Sequence, residues 1–194
     1  MKPSPQSPRM FQSDFLDFFS RSPWWSVPLV WLPICGYLIY LGPKDSRLAL
    51  ILVGIFVWSL TEYLLHRFVF HYEFQTQNGQ YVHFLIHGVH HQWPRDKYRL
   101  VMPISVGMII ATPFALFYWF LLGPVLFYPF FAGFLLGYVG YDCIHYALHH
   151  MKSQSAFFKA LRKHHMMHHH NKTQMATTKF GVSSSLWDRV FRTL

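Results

Sequence analysis

A chain of 194 residues with a formal charge of +9 is long enough for one domain, yet 52% of it is hydrophobic and only 13% is charged. That balance speaks for a membrane protein and against an ordinary soluble domain. The seventeen Lys and Arg are scattered between apolar runs with no basic helix, which argues against nucleic acid as a partner; two cysteines without a spaced motif, Cys35 and Cys143, argue against a disulfide framework or a thiolate metal site.

Residues 1–23 are polar and rich in Pro and Ser before an aromatic patch, and they lack the basic start, apolar stretch and cleavage site of a signal peptide. They read as a flexible tail leading into an amphipathic segment, "FQSDFLDFF", suited to a membrane surface. Residues 24–194 read as a single domain. Within it four apolar stretches, about 24–41, 48–65, 101–122 and 124–141, reach the roughly 17 to 20 residues that a bilayer-spanning helix needs. The joins are short, "GPKDSR" after the first and Gly123-Pro124 between the third and fourth, as helical hairpins require. The expected fold is therefore all-α and integral to the membrane, with four transmembrane helices and a cap built from about 66–100 and 142–194.

Four spans put both termini and both cap segments on one side. Fifteen of the Lys and Arg fall on that side and only Lys44 and Arg47 on the other, so the cap is expected to face the cytosol. All fourteen histidines are on the same side and none lies mid-span, where a transport pathway would place them.

The histidines form four clusters: His66 and His71; His83, His87, His90 and His91; His145, His149 and His150; and His164, His165, His168, His169 and His170. Two clusters contain H-x-x-H-H. A helix places residues three and four apart on one face, so His87, His90 and His91 are expected to converge, as are His165, His168 and His169, with His145 and His149 sharing another face. His66 and His71 are five apart, about 140° around an α-helix, and should approach different metals, or one metal from different sides. His164 and His168 are also one turn apart, so helix spacing leaves His164 and His165 as alternatives. A purification tag is a poor explanation, because "MM" interrupts the last cluster and further sequence follows it.

One cation takes about four to six ligands, so ten or so histidines suit two cations. With only Glu62 and Glu73 as glutamates, a carboxylate-bridged bundle is not available and the shell must be almost wholly imidazole. Such donors suit iron, copper, nickel or zinc; oxygen chemistry needs a redox metal, while zinc binds the same donors more tightly than ferrous iron. Asp142, one turn before His145, is a candidate acceptor for an imidazole N–H, with Tyr141 beside it. Phe114, Tyr118 and Trp119 are candidates for an acyl groove, although lipid-facing or packing roles explain them more simply.

The ordered set "EYLLHRFVFH", "HFLIHGVHH", "GYVGYDCIHYALHH", "KHHMMHH" and "KFGVSSSLWDRVFRTL" resembles the fatty acid hydroxylase superfamily, and within it the fatty acid (sphingolipid) 2-hydroxylases of plant-like type. The resemblance implies a cytosolic dimetal centre on a four-helix membrane base, with ligands His66, His71, His87, His90, His91, His145, His149, His165, His168 and His169, and with His83 as an outer residue. It also implies O2-dependent 2-hydroxylation of long acyl groups in the endoplasmic reticulum membrane. Residues 1–65 contain no histidine, so no bis-histidine haem domain is expected there, and electrons would come from a separate cytochrome b5 and its NAD(P)H-dependent reductase, with Lys159, Arg162 and Lys163 as a basic docking surface. Sterol or carotenoid hydroxylases and desaturases share the histidine scheme and are the rival enzymes; a metal-binding or metal-transporting membrane protein is the rival of another class.

Overall fold

The computed structural model describes residues 9–72, 74–170 and 178–194; the tail expected at the N-terminus lies, over residues 1–8, outside them. Among the described residues every regular element is helical. Ser13 caps α1 (Asp14–Phe19), accepting from the Leu16 amide, and two aspartates in the first turn complement the helix dipole. α2 (Ser26–Leu41) and α3 (Arg47–Leu65) follow, and α3 runs without a break into a π-helical turn, His66–Phe70. α4 (Gln77–His83) likewise passes through a π turn, Phe84–Gly88, into α5 (Val89–Gln92). α6 (Ile104–His150), α7 (Ala156–His170) and α8 (Leu186–Val190) complete the chain.

Among the described residues two elements are long and apolar enough to cross a membrane, Arg47–Phe70 and Ile104–His150. The sixteen residues of α2 fall short of a full span. Helix α6 is broken at Gly123, whose φ of 69° and ψ of 169° place it outside helical space; Gly tolerates this conformation, and Pro124 restarts the helix where its missing N–H costs nothing. The two limbs fold back on each other, since Trp119 meets Phe127, Tyr118 meets Phe130, and Phe114 meets Phe134. The stretches expected at 101–122 and 124–141 are thus the limbs of a hairpin, and the second limb continues to His150.

Backbone contact sets how α3 crosses that second limb. A Cβ on Gly54 would lie 2.1 Å from the Phe130 carbonyl oxygen, and one on Gly133 would lie 2.1 Å from that of Ile51, the small-residue packing that membrane helices use for close approach. Around this crossing Trp31, Trp58, Phe134 and Tyr138 form an aromatic core. The outer faces of the same helices stay apolar and exposed, as at Leu29, Leu52, Phe56, Phe120 and Leu121. Packing α3 beside α6 brings their C-terminal ends level, and those ends carry His66 and His145.

Candidate metal centre

Ten histidines gather into two groups of five, each offering one ring nitrogen within 4.8 Å of the others: His66, His71, His87, His91 and His168, and His90, His145, His149, His165 and His169. These are the ten singled out in the sequence, but their sorting depends on the local helix type. Over 66–70 the chain is π-helical, and the His71 amide donates to the His66 carbonyl at 3.2 Å. The wider turn cancels the 140° separation expected of an α-helix and leaves the two Nε2 atoms 3.1 Å apart, in one group.

The two H-x-x-H-H stretches do not each converge on one point. His87 and His91 share the first group, with Nε2 atoms 2.9 Å apart, while His90 turns to the second, 2.9 Å from His145 and 3.0 Å from His169. Along α7 the arrangement is reversed: His165 and His169 join the second group, 3.1 Å apart, and His168 crosses to His71 at 2.9 Å. Neighbouring residues on a helix differ by about 100°, so positions i and i+4 flank one side of the face and i+3 the other. Each motif therefore bridges both groups. His149 closes the second, 2.8 Å from His165.

These contacts are not a hydrogen-bond chain. The His71 Nε2 lies 3.1, 3.2 and 2.9 Å from the Nε2 atoms of His66, His87 and His168, whereas a ring nitrogen has only one proton or one lone pair to offer. The Nδ1 atoms of His66 and His168 face the backbone carbonyls of Phe180 and Thr178. A carbonyl only accepts, so both Nδ1 atoms carry protons and both Nε2 lone pairs point into the group. Two nitrogens about 2.1 Å from one cation at a right angle lie about 3.0 Å apart, so the donor set fits a cation in each group. Burial first, and then the neighbouring imidazoles, hold His87, His90, His165 and His169 below the ordinary histidine range and bring His71 and His91 down to about 2. The neutral, ligating form is favoured throughout.

The carbonyls behind His66 and His168 belong to a clasp at the end of the chain. Glu62 accepts from the amides of Val182 and Ser183 and from the Ser183 hydroxyl. Buried Asp188 accepts from the amides of Phe180 and Gly181 at 2.9 and 2.8 Å, from the Thr193 hydroxyl and from His164. Trp187 donates to Ser59, and Tyr63 meets Thr193. Sequence reasoning gave neither acid a role, although an isolated acid in so apolar a chain was the available signal. Of the alternatives at 164 and 165, His165 lies in the second group and His164 turns outward to Asp188.

Asp142 does not do what its spacing suggested. It is buried, its carboxylate accepts from the Met102 amide at 3.4 Å, and no imidazole N–H meets it among the described residues. The end of α6 turns it toward the start of that helix instead. Tyr141 lies with its ring centroid 5.7 Å from that of His145. His83 is half-buried at the end of α4, outside both groups but close enough to His71 to repel a proton there. His150 stacks on Tyr146, and His170 binds the Met166 carbonyl.

A cavity of about 380 Å³ opens against both groups, touching His87, His90 and His145 as well as Tyr141 and Asp142. Val82, Leu85 and Ile86 form one wall, Leu100 to Pro103 and Val106 another, and Met10, Phe11, Leu16 and Phe19 a third. A smaller apolar pocket reaches Phe114 and shares Phe70, Met102 and Tyr141 with it. Tyr118 and Trp119 pack within the α6 hairpin.

Residues 51–193 match the family described as fatty acid hydroxylase. A dihydroceramide fatty acyl 2-hydroxylase of Arabidopsis thaliana is 40% identical over 194 residues, covering 97% of this chain and 81% of its own. A ceramide very long chain fatty acid hydroxylase of Saccharomyces cerevisiae is 42% identical over 187 residues, covering 93% of this chain and 48% of its own. A solved structure described as full-length scs7p, with only its hydroxylase domain visible, is similar at a TM-score of 0.86 and 42% identity over 93% of this chain and 69% of that one.

Proposed function

The chain belongs to the fatty acid hydroxylase family, and from that premise we propose that it hydroxylates C2 of long and very-long fatty acyl groups, as carried by ceramide-type sphingolipids, with the ten grouped histidines holding two metal ions. The observation that carries this reading is the largely apolar cavity that touches both histidine groups at once. His66, His71, His87, His91 and His168 would hold one ion, and His90, His145, His149, His165 and His169 the other. In this reading the working metal is iron, O2 is the co-substrate, and zinc suits the same donors. When bound, the metal pair supplies the redox chemistry that places an O2 oxygen on an unreactive C–H bond.

The protein's own residues bind and orient. His66 and His168, with Nδ1 protons fixed on backbone carbonyls, keep their Nε2 lone pairs turned inward. The apolar walls accept an acyl chain and exclude water from the face where His87, His90 and His145 meet the cavity. In this reading the short α2, packed along α6, crosses together with α3 and the two limbs of α6 as the fourth span, its shortfall met by local thinning of the bilayer, with the metal centre and both termini on the cytosolic face of the endoplasmic reticulum; the excess of Lys and Arg on that side supports it. Electrons come from a separate cytochrome b5 and its NAD(P)H-dependent reductase. Lys159 and Lys163, exposed on α7 beside Arg162, suit an acidic donor.

The test is sphingolipid analysis by mass spectrometry in cells lacking their own ceramide 2-hydroxylase. The chain is expected to restore 2-hydroxy acyl ceramides and His168→Ala is not; equal product from both, or altered sterols without 2-hydroxylation, refutes the reading.

A further inference from the structure

The N-terminal segment lies before residue 51, where the family match begins, and nothing in the metal chemistry requires it. It is nevertheless built into the cavity. Met10, Phe11, Leu16, Phe19 and Ser20 line that space together with Leu85 and Ile86, Leu16 and Phe19 being half exposed at its mouth, while Phe15 and Phe18 of α1 do not line it and are 68% and 72% exposed. An anchor that only floated on a bilayer would need the outer face alone.

A buried ion pair fixes the inner face. Asp17 accepts from Arg99 at 2.8 Å, from Arg21 at 2.7 Å, and from the amides of Met10 and Phe11 at 2.7 and 3.4 Å. Arg99, with 1% of its side chain exposed, also donates to the Ser20 hydroxyl at 2.6 Å. The Ser22 amide continues the attachment to the Tyr98 carbonyl at 2.7 Å. Taking two charges out of water is costly, and a well-packed apolar contact would hold a helix at least as firmly; what the forked guanidinium adds is a defined position for residues 10–20.

We propose that residues 10–20 are a substrate-holding wall, with Phe11, Leu16 and Phe19 gripping an aliphatic stretch of the acyl lipid, and that Asp17 and Arg99 are its positioning residues. The proposal rests on the acyl-hydroxylase reading for the identity of the lipid. Its test is photolabelling of the full chain in phosphatidylcholine vesicles with a ceramide that carries a diazirine on its acyl chain, the adducts being mapped by peptide mass spectrometry. Adducts on residues 10–20 that unlabelled ceramide competes away are expected. Arg99→Met and Phe11→Ala should each reduce them about tenfold and raise KM by a similar factor with kcat within about twofold, the pattern of lost binding rather than lost chemistry. Phe11→Ala leaves the ion pair intact, so a folding defect in Arg99→Met does not decide the matter; Tyr40→Ala, exposed near the C-terminal end of α2 and outside the cavity, should change neither readout. Absence of competed adducts on 10–20, or a fall in kcat with KM unchanged, overturns the wall. Labelling needs no turnover: competed adducts without 2-hydroxylation would reject only the reaction, and 2-hydroxylation without adducts on 10–20 only the wall.

Discussion

The two histidine groups contain the same donors in the same number, yet the chain supports them differently. Behind the first, the clasp sets backbone carbonyls against the Nδ1 atoms of His66 and His168. The Nδ1 atoms of His90, His165 and His169 in the second group, and of His91 alone in the first, are buried and meet no protein acceptor among the described residues. Two rings of the first group, His66 and His168, are held from outside by the clasp that Glu62 and Asp188 organise, whereas His90, His165 and His169 of the second depend on helix packing and on the ion itself. Partners behind a ligand raise its basicity and restrict its rotation, so two equal sets of imidazoles need not bind equally. The first group is expected to be the tighter site.

Removing a ligand from each group gives the largest effect. His168→Ala and His165→Ala should each lose more than about 100-fold in hydroxylation, the former depleting the first ion and the latter the second, as metal content by elemental mass spectrometry would show. Equal loss of both ions from either variant would mean that the groups do not bind separately. Next in size, Asp188→Asn, or Glu62→Gln, should weaken the first ion by about 10- to 100-fold and spare the second, read from chelator competition; in the wild type the same titration should empty the second group first.

Acidification gives a smaller effect that follows from the imidazoles. Buried His71 and His91 sit at about 2 in the folded protein, against about 6.5 in an unfolded chain. As the pH falls through 6.5 the unfolded state takes up protons that the folded metal-free protein does not, so stability falls with pH. Asp17 has the opposite environment: burial raises it, but the bonds from Met10, Arg99, Phe11 and Arg21 outweigh that and leave it at about 2. Its contribution is present above the ordinary carboxylate value of about 4 and is lost only as pH drops from there toward 2. A melting temperature that fell between pH 7 and 5 would therefore report the histidines, and an unchanged one would contradict their burial as neutral rings. The smallest effect is expected at His170, exposed and tied to the Met166 carbonyl: His170→Ala should keep metal content and activity within about twofold, as surface changes usually do.

Much of this arrangement could be read along the chain. Helical class, the hairpin at Gly123-Pro124, the four histidine clusters and the i, i+4 pairs follow from local rules, because composition, turn residues and the angle between side chains on one helix are properties of neighbouring residues; the set of ten came from the family resemblance, since spacing leaves His164 and His165 as alternatives. Local rules left His66 and His71 open between one metal and two, because a π turn is a change in backbone hydrogen bonding that the α-helical period cannot register. They also treated each H-x-x-H-H as one converging face, since the side on which His90 or His168 finds its companions depends on a helix far away in sequence. Asp142 was assigned by spacing to an imidazole and packs toward Met102. The clasp carbonyls of Thr178 and Phe180 were beyond reach for another reason: a backbone acceptor is the same in every residue, so only its position marks it. What the sequence alone determined is which side chains are available and which face of its own helix each occupies; the tertiary structure decided which of them meet, through the backbone contact at Gly54 and Gly133, the Glu62 and Asp188 clasp and the Asp17–Arg99 pair, because convergence is a property of packing between distant segments.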